Sequence, residues 1–178
     1  MIRSFVAWRN LVGLMIGLLA FYAFPAFADW RSALPGARLI GQGDFTRFGF
    51  DVYQARLWSA APSPSLDTAF ALELDYRRSI GKETLVQTSL EEIQRINGAP
   101  LDAQRLDAWR THMRLAFVDV KPGSRITGVY LPGHGCRFYV DEQLSHAIDD
   151  PPFARAIFAI WLDPKTQDKQ LRKQLLGL

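Results

Sequence analysis

The sequence predicts an α+β domain in which an antiparallel β-sheet carries a layer of α-helices on one face, and three observations lead there. Phe70, Leu72, Leu74 and Tyr76 alternate with Ala71, Glu73, Asp75 and Arg77, the two-residue period of a strand with one apolar side. Between Arg125 and Val140 two further alternating runs flank Pro132-Gly133-His134-Gly135, which joins them as a hairpin. Elsewhere the apolar spacing lengthens to that of a helix, in Val86, Leu90 and Ile93, in Trp109, Met113 and Phe117, and in Phe153, Ile157, Ile160 and Trp161.

Taken in order, residues 1–28 read as a signal peptide. Arg3 and Arg9 make a basic start, Leu11–Phe24 is an apolar core of 14 residues, and Ala26-Phe27-Ala28 is a small-x-small cleavage site ahead of Asp29. A retained anchor is the competing reading, but a bilayer span takes about 20 apolar residues. The expectation is an exported, periplasmic protein with no stable membrane span after processing. Processing lowers Lys+Arg from 21 to 19 against 18 Asp+Glu, a mature net charge of about +1. With no basic patch and no nucleic-acid motif, nucleic acid is not an expected partner. The remaining 150 residues suit one domain that buries roughly 68–70% of its unfolded surface. The single cysteine, Cys136, has no partner in the chain and shares an apolar strand face with Phe138 and Val140, so it reads as an inert buried thiol.

Asp29–Gly36 is a lead-in whose Trp30 is expected against the domain edge, and the domain itself spans 37–178. Two strands follow, Arg38–Phe45 and Phe48–Trp58, with a bend near Thr46-Arg47. Ala60–Ser65, with two prolines, is a surface loop. Continuing the period of the Phe70–Tyr76 strand by one step puts Arg78 on its apolar side, where a cation needs an anionic or polar partner. A helix over Gly81–Ile96 ends at Asn97-Gly98, and Asp102 caps the next, whose stripe is Leu106, Trp109, Met113, Ala116 and Phe117. In the later hairpin Ile126, Gly128 and Tyr130 share one face and Thr127, Val129 and Leu131 the other, while Cys136, Phe138 and Val140 oppose Arg137 and Tyr139. A short strand precedes Asp149-Asp150-Pro151-Pro152, an N-cap with proline in the first turn, and Asp163-Pro164 stops that helix. A last helix sets Leu171, Leu175 and Leu176 against Lys165, Lys169, Arg172 and Lys173.

The motifs of common chemistries are missing. His112, His134 and His146 lie far apart without metal-ligand spacing, and no nucleophile-elbow, Walker or dinucleotide glycine motif occurs. Neither metal nor cofactor is expected. What remains is a sheet with apolar stripes, helices over it, and arginines at strand ends.

Three runs carry a family resemblance: Gly128-Val129-Tyr130-Leu131-Pro132, Phe153-Ala154-Arg155-Ala156 and above all Ile160-Trp161-Leu162-Asp163-Pro164. They resemble the C-terminal signature of bacterial chalcone isomerase-like proteins, and the similarity extends back to about Ala37. Gly43-Asp44-Phe45, Phe48 and Val52-Tyr53 are similar to the first hairpin of chalcone isomerases, which forms part of their binding cleft. The resemblance implies the fold of that family and leaves its activity open, since the family holds enzymes, fatty-acid binders and members without assigned chemistry. Its enzymes place an arginine on the first strand, a threonine on the second and a tyrosine at the start of the first helix, to stabilise oxyanions on a bent substrate. Arg38 falls near the first position, but Phe48 or Gly49 stands at the second and Thr84 or Leu85 near the third, so the hydroxyl network is not reproduced.

The fatty-acid-binding relatives keep the arginine and add a tyrosine, which together hold a carboxylate above an apolar tunnel. The resemblance thus implies Arg38 with Tyr53, or Arg78 with Tyr76, as a ligand-binding pair, with Thr84 close by. The plainer reading is that these arginines bridge Asp44, Asp51 or Asp75 at the sheet edge. The resulting expectation is a non-catalytic binder of a small amphipathic acid such as a fatty acid. An intramolecular lyase or isomerase of the chalcone isomerase type is one alternative, and a protein-interaction module with a filled interior is another.

Overall fold

The computed structural model describes residues 29–178, and the signal-peptide reading of residues 1–28 lies outside the described residues. Strands β1 (Arg38–Arg47), β2 (Phe50–Ser59), β3 (Phe70–Tyr76), β4 (Arg125–Leu131), β5 (Gly135–Val140) and β6 (Gln143–Ile148) form one six-stranded sheet in which each pairs antiparallel with its sequence neighbour. Helices α1 (Lys82–Asn97) and α2 (Ala103–Ala116) come between β3 and β4, and α3 (Pro151–Leu162) and α4 (Lys169–Leu176) follow β6. The α+β class and the helix layer stand as the sequence predicts.

Local chemistry sets the ends of these elements. Asp102, Asp150 and Asp168 each accept a hydrogen bond from a first-turn amide, at 2.8, 2.9 and 2.8 Å, and Pro151-Pro152 fills positions whose missing N–H groups would have had no partner. Gly98 closes α1 at φ 72°. Two hairpins turn through residue pairs with both φ angles positive, Phe48-Gly49 (51° and 78°) and Asp141-Glu142 (46° and 72°), the twist that matches flanking strands. Only one of those four residues is a glycine.

The principal core lies between the sheet and the helices. Leu57, Phe70, Leu72, Ile126, Tyr130, Phe138 and Ile148 meet Val86, Leu90, Trp109, Met113, Phe153, Ile157, Phe158, Leu171 and Leu175. The opposite sheet face is covered too, which corrects two expectations. Trp30, in a short 3-10 turn (Trp30–Ala33), does not sit at an edge but packs over the sheet centre with Ala71, Val129 and Tyr139, against the ring of Trp58 at 5.7 Å. Tyr139, expected opposite the apolar side of β5, is therefore buried as well. No periodic pattern marks so short an apolar cover. On this face Glu73, 3% exposed, takes a 2.7 Å ion pair from Arg56, so the cation meeting a buried partner lies away from the helix layer.

Helix α4 lies on β1, and two glycines permit it. A Cβ on Gly41 would stand 2.0 Å from the Gln174 carbonyl oxygen, and one on Gly43 would meet the side chains of Gln174 and Leu171. At the other end of β1 the register steps from Phe45 opposite Tyr53 to Thr46 opposite Asp51, which leaves Val52 as the extra residue of a bulge. From there to the tip, the facing of β2 residues is shifted by one.

Candidate functional site

A cavity of about 650 Å³ lies between the helix-covered sheet face and helices α1, α3 and α4, well inside the size range of small-molecule sites. Its floor is Leu72, Leu74, Ile126, Gly128 and Phe138, and its roof is Leu85, Ile157, Phe158, Ile160 and Trp161. Gly128 contributes depth, since a Cβ there would stand 2.7 Å from the ring of Phe158. The end toward the β1–β2 tip is walled by Phe45, Arg47, Phe48 and Val52, and the exposed residues Thr84, Thr88 and Glu91 of α1 form the facing rim. The Val52 bulge lets both Val52 and Tyr53 face this space.

Few polar groups enter it. Tyr53 stacks on Phe45 at 4.9 Å and meets Tyr76 edge-on at 5.7 Å. Its hydroxyl oxygen accepts from Trp161 Nε1 at 3.0 Å, and among the described residues its own proton has no acceptor. Tyr76 is buried, and its hydroxyl makes no hydrogen bond to a described residue. Burial raises both phenol pKa values far above the ordinary range, outweighing for Tyr53 the lowering by the Trp161 N–H. Both are therefore neutral donors at any physiological pH and cannot serve as phenolate bases.

Two arginines line the cavity. Arg95 is committed elsewhere: its guanidinium donates to the Lys165 carbonyl at 2.6 Å and to Glu92 at 2.9 and 2.5 Å, and the Glu92 hydrogen bond holds its pKa up. Arg47, at the mouth, makes no ion pair among the described residues and lies 5.4 Å from the ring centroid of Phe48. It is the cation with a free valence.

Of the residues proposed from sequence, the structure brings Tyr53, Tyr76 and Thr84 to one cavity and leaves Arg38 and Arg78 outside it. Arg38 opens β1 opposite Ser59, exposed and roughly 20 Å of strand away from Phe45. Arg78 does not continue the inward face of β3, because the strand ends at Tyr76 and, although the Arg77 amide still bonds the Val52 carbonyl at 2.9 Å, the chain bends at Arg77-Arg78. The exposed Arg78 guanidinium lies 4.4 Å over the Phe50 ring instead. The ordinary sheet-edge ion pairs belong to Arg77, with Asp44 at 2.9 Å and Asp51 at 3.5 Å. Sequence reasoning missed Arg47, whose only signal was its place beside the bend of the first hairpin. Trp161, on the apolar face read from the helical spacing, packs half-buried against the core and also walls the cavity.

Cys136 is buried, and its thiol pKa is pushed up to about 12, first by burial and then by the nearby carboxylates of Asp150 and Asp149. Among the described residues no cluster of three His, Cys, Asp or Glu side chains could hold a metal ion, and no helix is long and apolar enough to cross a membrane.

Comparison with known proteins finds a family and solved structures that this chain is similar to. The family described as chalcone isomerase-like matches residues 37–177. A solved fatty-acid-binding protein of Arabidopsis thaliana superposes with a TM-score of 0.61 at 13% identity, covering 80% of this chain and 87% of that one. No curated protein sequence matches.

Proposed function

The chain belongs to the chalcone isomerase-like family, and from that premise we propose that it is a non-catalytic binder of a small amphipathic acid of the fatty-acid class, exported to the periplasm. One observation carries this reading: a largely apolar cavity of about 650 Å³ with two neutral phenols and, at its mouth, an arginine that has no carboxylate partner among the described residues. The hydrocarbon chain lies on Leu72, Leu74, Ile126 and Phe138 beneath Ile157 and Phe158, and the carboxylate stays at the tip-side end. Tyr76 and Tyr53 donate their hydroxyl protons to it, and Arg47 folds over the mouth to pair its charge. The likeness to a plant protein named for fatty-acid binding supports the same ligand class.

The lyase or isomerase alternative asks for positioned hydroxyls at an attacking oxyanion and a group able to manage a proton near neutrality. Phe48-Gly49 occupies the turn where the threonine is expected, and both cavity phenols stay protonated. The interaction-module alternative supposes a filled interior, which a space of this volume does not suit.

Titration of palmitate by calorimetry tests the reading. Saturable binding is expected, weakened roughly tenfold in Arg47→Ala and unchanged in Arg38→Ala. Absence of binding by the parent, or equal loss in both variants, overturns it.

A further inference from the structure

The β1–β2 tip carries features that ligand enclosure does not require. Phe48 is 87% exposed and Phe50 56%. Phe48 holds φ at 51°, a left-handed conformation that asparagine or glycine adopts with less strain, so an aromatic side chain is kept where the turn itself favours another residue. Arg47 and Phe50 are register partners and share a face. Each ring has a guanidinium on it, Arg47 at 5.4 Å from Phe48 and Arg78 at 4.4 Å from Phe50, and neither arginine has a carboxylate partner among the described residues. The nearby carboxylates, Asp44 and Asp51, are both taken by Arg77, so the tip has a net positive charge. The rim across the cavity mouth is different in kind, with Thr84, Thr88 and Glu91.

We propose that this tip docks on an anionic lipid bilayer, with the Phe48 and Phe50 rings entering the headgroup boundary and Arg47 and Arg78 meeting lipid phosphates. Exposed rings bearing cations fit such a boundary, since the ring is buried in the apolar layer while the guanidinium remains among the headgroups. The arginines favour anionic over neutral lipid. A bilayer is favoured over a protein groove by continuity: Arg47 and Phe48 are both wall residues of the cavity, so a docked tip sets the mouth directly against the lipid from which an acid would enter. The proposal deepens the reading of the cavity as a lipid-acid site and rests on it for its purpose, though docking itself is measured without ligand.

The test uses the chain beginning at Asp29, which contains every residue of both hydrophobic cores, and follows its cosedimentation with vesicles. Vesicles of phosphatidylcholine and phosphatidylglycerol at about two to one should retain the protein, pure phosphatidylcholine should retain less, and salt should weaken the difference. Phe48→Asn relieves the turn, so it should melt no lower than the parent while its vesicle partitioning falls roughly tenfold. Arg78→Gln should lower partitioning only to the anionic vesicles, and Leu144→Ser, an exposed apolar residue on β6, should change nothing. Equal partitioning of Phe48→Asn and parent overturns the proposal, as does a parent that ignores both vesicle types. A parent that self-associates through the tip, and becomes monomeric in Phe48→Asn without lipid, overturns it too. Palmitate binding in vesicle-free buffer separates the two readings: acid binding without docking sinks this proposal alone, and docking without acid binding sinks the cavity reading alone.

Discussion

Tyr76→Phe removes one oxygen from the cavity and should separate ligand affinity from stability. Tyr76 lines the cavity and its hydroxyl has no hydrogen-bond partner among the described residues, so its deletion orphans nothing in the protein. Stability should stay within about 0.5 kcal/mol of the parent, because no hydrogen bond within the protein is lost. In the proposed complex that hydroxyl donates to an ionised carboxylate, a contact worth roughly 1.5–3 kcal/mol, or about ten- to a hundredfold in Kd. Tyr53→Phe is the informative comparator. It deletes a second donor and also strips Trp161 Nε1 of its 3.0 Å acceptor, so it should cost about 1 kcal/mol of stability and lower Tm by roughly 2–4 °C. Palmitate calorimetry and thermal melts on the same three proteins supply both readings. Between pH 6 and 9 the Tyr76 effect should be constant, since burial holds both phenols protonated across that window. A Tyr76→Phe protein that binds palmitate as the parent does would refute the assignment of the head group, and one that melts well below it would mean the hydroxyl has a structural partner.

Gly41→Ala should destabilise the fold by about 1–3 kcal/mol in urea, because the added methyl would lie 2.0 Å from a backbone oxygen of α4 and the helix must move; an unchanged midpoint would refute the α4–β1 contact. Cys136 should resist a water-soluble disulfide reagent at pH 8 in the native state and react fully once unfolded, since burial pushes its pKa up to about 12; native labelling at the rate of a free thiol would place it at the surface. Mass spectrometry of protein taken from the periplasm should find a chain that begins at Asp29 or within a residue or two of it, whereas an intact chain from Met1 in the membrane fraction would refute export.

What the sequence by itself determined was set by local periodicity and by end chemistry. Phe70 to Tyr76 could only be a strand with an apolar side, Asp102 and Asp150 could be read as caps, and the runs Gly128–Pro132 and Ile160–Pro164 carried the family. Tyr53, Tyr76 and Thr84 were candidates because the family resemblance pointed to a tyrosine beside an arginine and to the start of the first helix, and all three lie in regular elements. The arginines were not legible, for a physical reason: each depends on where regularity stops. Arg78 leaves the cavity because β3 ends at Tyr76 and the chain bends at Arg77-Arg78, two residues short of where the count would place it. Arg47 enters because β1 continues past Phe45 to the tip while the Val52 bulge re-aims the opposing strand, an event of one residue that no alternation records. Trp161 shares the helical phase of Ile157 and Ile160, yet only the position of β2 beneath α3 decides that its N–H meets Tyr53 across a space and not a packed neighbour. The cavity itself is a property of the layers: it exists where helices and sheet diverge, and its depth at Gly128 depends on a phenylalanine thirty positions later in the chain, a distance no local pattern spans.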